Sequence, residues 1–156
     1  MPERERPSSL LDAALAMGAL VTIATGGALI GLGMQSGEPS RVFRLVGRAL
    51  LERSGVTSSG APLTSVALGY LHHLVIATVW GAIIGLIVLP LRGISRLLAA
   101  VGITLLYIIV ASRWLPPAMR IGFAVTANIP GAVPIAVALL VAVLGGIWLA
   151  AGETTA

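Results

Sequence analysis

Charge is what this chain has least of. Only 10% of its 156 residues are Asp, Glu, Lys or Arg, against about a quarter in ordinary soluble domains. Lysine is missing altogether, so all ten basic residues are arginine and lysine amine chemistry is excluded. Cysteine is missing as well, which removes thiolate metal ligands, thiol redox chemistry and disulfides. Aromatic residues number seven (Phe43, Tyr70, Trp80, Tyr107, Trp114, Phe123 and Trp148) and are dispersed along the chain. That is too few to stack nucleic-acid bases, so the +4 charge does not point to nucleic acid. There is no serine–histidine–carboxylate set, no paired carboxylates, no H-E-x-x-H and no phosphate-binding loop. Classical membrane proteolysis and metal hydrolysis lack their parts.

What is abundant is apolar surface. Hydrophobic residues make up 57% of the chain, glycine adds 19 residues, and the mean hydropathy is +1.00. Ten arginines and six acids cannot keep a compact particle of this composition hydrated. The fold class implied is an all-α integral membrane four-helix bundle forming a single transmembrane domain over 1–156. Four runs reach spanning length, at about 10–33, 63–91, 94–115 and 121–151. The first follows a start that mixes Glu3, Arg4, Glu5 and Arg6 rather than a clean basic region, which predicts a retained span and not a cleaved signal. Pro130 and Pro134 leave two readings of the fourth run: a kinked helix, or one that begins only at Pro130.

Between the first two spans, residues 40–53 read as an interfacial amphipathic helix, with Ser40 as N-cap and Gly55 as stop. Arg41, Arg44 and Arg48 lie on its polar side, where they would meet lipid headgroup phosphates. A short helix packed on the end of the bundle is the other reading. Six arginines (41, 44, 48, 53, 113 and 120) fall on that end and four (4, 6, 92 and 96) on the opposite one. This split favours both termini outside a multi-pass protein of the cell membrane, expected to be a prokaryotic inner membrane. The bilayer is the first partner implied.

The second span carries Gly69, His73, Ala77, Gly81 and Gly85 at strict four-residue spacing, a seam along which another backbone can approach closely. Gly27 and Gly31 offer a similar strip on the first span. Such strips pack helices either within the bundle or between copies, so a homo-oligomer or a larger membrane complex is a second kind of partner.

Polar groups inside a span are costly and raise a functional question. His72 and His73 are neighbours on one helix, about 100° apart around it, and are badly placed to ligate one metal; no metal site is expected. Counted inward from the shared end, Thr25, His73, Tyr107 and Asn128 reach similar depth, one from each span. Such a ring could be interhelical glue, bind a small polar ligand, or pass protons or ions. With both histidines on one helix, the geometry argues against a bis-histidine haem within one chain. A singly ligated porphyrin, or a haem shared across a dimer, stays open.

The Gly69-Tyr70 step, the His72-His73 pair and the Gly81-x-x-x-Gly85 strip, with the glycine-rich first span, resemble small prokaryotic four-span membrane proteins of uncharacterised function. The resemblance covers about the first 90 residues and implies a fold, not an activity. The expectation is a non-catalytic accessory or oligomeric subunit; the alternative is a binder or transporter of a small ligand, porphyrin or ion that uses the His/Tyr/Asn cluster.

Overall fold

The computed structural model describes residues 9–56, 62–127 and 129–152. Four long helices run back and forth: α1 (Leu10–Met34), α3 (Pro62–Val88), α4 (Gly93–Arg113) and α5 (Ile129–Gly152). A shorter helix, α2 (Arg41–Arg53), lies between the first two. Even the 21-residue α4 reaches about 32 Å at 1.5 Å per residue, enough to cross a hydrocarbon core of ~30 Å. All four long helices are apolar enough to span a membrane, and the chain is a polytopic membrane protein. Large side chains point outward along every span, with Ile23 72%, Leu98 66% and Val141 62% exposed. In water that would be a heavy penalty; in lipid it is the expected outer face.

The helix ends obey local chemistry. Ser9 caps α1 in a reciprocal box with Asp12, the Asp12 amide reaching the Ser9 hydroxyl at 3.1 Å and the Ser9 amide reaching the carboxylate at 2.9 Å. The charged lead-in that argued for a retained span, residues 1–8, lies outside the described residues. Arg96 reaches back to the carbonyls of Leu89 and Leu91 at 2.6 and 2.5 Å, satisfying acceptors that the end of α3 leaves over.

α1 is the central helix, packed antiparallel on α3 along one side and on α5 along the other. The α3 seam makes the first contact. A methyl placed on Gly81 would come within 2.7 Å of the Gly18 Cα, and one on Gly85 within 3.0 Å of the Ala14 Cα. On α1 the close approach is made at Gly18 and Gly26, the latter facing the His73 ring, whereas Gly27 and Gly31 have nothing within 4 Å. Their face of α1 is turned away from the bundle.

α2 packs along the first half of α3 rather than lying apart from the bundle. A methyl on Gly47 would overlap the Ser65 carbonyl, and one on Gly69 would overlap that of Phe43, so the two backbones touch. Its apolar face (Val42, Phe43, Val46) is buried. Arg41 and Arg48 stay exposed, while Arg44 turns aside to pair with Glu38. Ser40 occupies the N-cap without a side-chain bond to the helix, its hydroxyl going to Glu38 instead; Gly55 follows the helix at φ 78°.

The fourth span is shorter than its apolar run. Residues 121–127 form successive turns, and α5 begins at Ile129, one residue before Pro130. Proline has no N–H to donate, so it sits without cost in a first turn, where the amides are unpaired anyway. Pro134, inside α5, does remove a rung of the ladder.

Candidate functional site

The polar residues gather where α1 and α4 end and α3 and α5 begin. Pro116–Pro117 stops α4, a 3-10 turn follows over Pro117–Met119, and the chain folds back onto the helices before α5 starts. Non-helical backbone carries unpaired amides and carbonyls, which at membrane depth must be satisfied by protein. Side chains from α3 and α4 do this. His72 Nε2 lies 2.7 Å from the Ala118 carbonyl, Trp80 Nε1 donates to the Met119 carbonyl at 2.8 Å, and the Ile121 amide donates to the Tyr107 hydroxyl at 2.9 Å. The Trp80 and Tyr107 rings also meet edge to face, with centroids 5.4 Å apart.

Gly122 lets the returning segment close. Its φ of 59° is one that side chains disfavour, and a methyl there would overlap the Leu29 side chain of α1. Ile121 and Thr126 are completely buried. Phe123 lies between two partners: His72 meets it edge to face at 5.9 Å, and the Arg53 guanidinium from the end of α2 sits 5.9 Å from its centroid. α2, α3 and the returning segment are thereby tied into one cap.

His73 faces the other way, into the α1 contact. Its Nε2 lies 3.1 Å from the Thr22 carbonyl, and its ring meets Phe43 edge to face at 5.7 Å. The Thr22 hydroxyl joins that of Thr78 at 2.9 Å across the same contact. A carbonyl can only accept, so both histidines carry their proton on Nε2 and turn Nδ1 inward. Those two Nδ1 atoms are buried without a hydrogen-bond partner.

Of the four residues expected at similar depth, the three described ones, Thr25, His73 and Tyr107, each bond elsewhere and not to one another. His73 bonds α1, and Tyr107 bonds the returning segment. Thr25 is fully buried, and its hydroxyl donates to the Val21 carbonyl of its own helix at 2.6 Å. Asn128 lies outside the described residues. Trp80 and Phe123 belong to the cluster, although their sequence positions single out neither. A signal was available: His72 and Trp80, two rings with N–H edges, stand two turns apart on the same span.

Chemically this cluster holds backbone in place. Its N–H and O–H edges are directed at main-chain atoms, and among the described residues no three His, Cys, Asp or Glu side chains converge as a metal site would need. No protein-family model, no curated protein and no solved structure matches the chain.

Proposed function

We propose that this polytopic membrane protein is non-catalytic and serves as an accessory or self-associating subunit of a membrane assembly. One observation carries the reading. His72, His73, Trp80 and Tyr107 each spend a polar edge on a backbone atom of a neighbouring segment, as interhelical glue does at about 0.6 kcal/mol a contact. The open Gly27/Gly31 strip on α1 is the surface on which another helix would sit. The membrane we propose for this assembly is a prokaryotic inner membrane.

Sedimentation equilibrium in mild detergent tests it. The expected mass is a multiple of 15.9 kDa, or that of a stoichiometric complex with a native partner, and Gly31→Leu should dissociate it. A lone monomer at all concentrations, isolated from its native membrane without a partner, would contradict the proposal.

The unpartnered Nδ1 atoms of His72 and His73 favour a second reading, a porphyrin or small-ligand binder. An absorbance titration with haem decides it. A Soret band that disappears in His73→Ala supports this second function; no band in the wild type rejects it for haem.

A further inference from the structure

α4 leans on α5 more than on α3, and a groove of about 140 Å³ opens between α3 and α4, lined by Trp80, Ile84, Ile103, Leu106, Tyr107 and Val110. Every aliphatic side chain there is apolar, and the polar edges of the two rings are already committed to the returning segment. Nothing in this groove would recognise a polar solute; a hydrocarbon chain would fit it.

The mouth of the groove has the opposite character. Arg113 follows Val110 by three residues and Leu106 by seven, so it continues the groove-lining side of α4 at the helix end. Arg120 adjoins Ile121, whose amide sits on the Tyr107 hydroxyl, and its Nε is anchored on the Leu115 carbonyl at 2.6 Å. Neither guanidinium belongs to an ion pair among the described residues, where the one salt bridge is Arg44–Glu38. From Ile103 to Arg113 the helix rises about 15 Å, the reach of an acyl chain running inward from a headgroup held at the surface.

We propose that the α3–α4 groove binds an anionic phospholipid, with one acyl chain along Trp80, Ile103, Leu106 and Val110 and the phosphate at Arg113 and Arg120. The charge selects the lipid class: two unpaired cations at an apolar slot favour a net-negative headgroup over a zwitterionic one.

Trp80 reports occupancy directly. In Trp114→Phe/Trp148→Phe protein it is the sole remaining tryptophan of three. The protein is reconstituted in phosphatidylcholine vesicles containing increasing phosphatidylglycerol or phosphatidylcholine brominated on the acyl chains. Brominated phosphatidylglycerol should quench Trp80 at a lower mole fraction, by roughly fivefold per arginine engaged. Arg113→Gln/Arg120→Gln should bring the two curves together. Ile103→Phe/Val110→Phe, which fills the groove and keeps both arginines, should remove the preference as well. Identical curves in the parent protein would overturn the proposal. So would a preference that survives filling the groove, which would mean headgroup attraction alone. Shielding from both lipids would also overturn it, showing that a second copy or another helix occupies the slot. If the Gln variant does not fold, the parent and filled-groove curves still decide.

Discussion

At the scale of single residues, glycines here have opposite meanings according to what lies opposite them. Gly47 and Gly69 bring two backbones into contact, and no side chain fits without moving a helix. Gly69→Ala should therefore destabilise the protein by about 1–3 kcal/mol, the cost of overpacking a tight contact, read from the midpoint of unfolding in mixed detergent micelles. Gly102→Ala on α4 has open space and should shift that midpoint by less than ~0.5 kcal/mol. Equal losses in the two variants would show that glycine content, not position, matters. Tyr107→Phe keeps the ring against Trp80 but removes the acceptor of the Ile121 amide. In the same assay it should cost about 1–2 kcal/mol, and an unchanged midpoint would mean that the amide finds another acceptor.

At the scale of elements, the returning segment between α4 and α5 is the most specific piece of the fold. Three ring edges grip its backbone, and Gly122 supplies both a positive φ and room for Leu29. Gly122→Ala combines backbone strain of about 1 kcal/mol or more with a clash, and it should speed hydrogen exchange of the Ile121 amide without unfolding α1. Exchange as slow as in the parent would show that the segment does not depend on this turn. The sequence revealed the four long helices because twenty or more apolar residues in a row have few other fates. It revealed the α3 seam because a four-residue period is a property of one helix. The returning segment was legible only in part: Pro130 and Pro134 offered a late helix start as one of two readings. Residues 121–127 are nonetheless apolar enough to continue a span, and only contacts from His72 and Trp80 on α3 and Tyr107 on α4 stabilise the irregular path. The pairing of α2 with α3 was hidden for the same reason. Its amphipathic pattern suits lipid and protein equally, and only the meeting of Gly47 with Ser65 and of Gly69 with Phe43 decides between them.

At the scale of the whole molecule, the two ends of the bundle differ. One holds the capped start of α1, the end of α3 and the start of α4, with Arg92 and Arg96. The other holds α2, the returning segment, both histidines' contacts and Arg41, Arg44, Arg48, Arg53, Arg113 and Arg120. Four crossings place these ends on opposite sides of the membrane, and the groove, the histidines and the α2–α3 contact all depend on that arrangement. The chain has no cysteine, so single cysteines can be introduced at exposed serines and labelled in sealed vesicles with a membrane-impermeant maleimide. With four crossings, Ser9→Cys and Ser95→Cys label from one side, and Ser36→Cys and Ser54→Cys label only from the other. Labelling of Ser36→Cys and Ser95→Cys from the same side would contradict the four-crossing bundle.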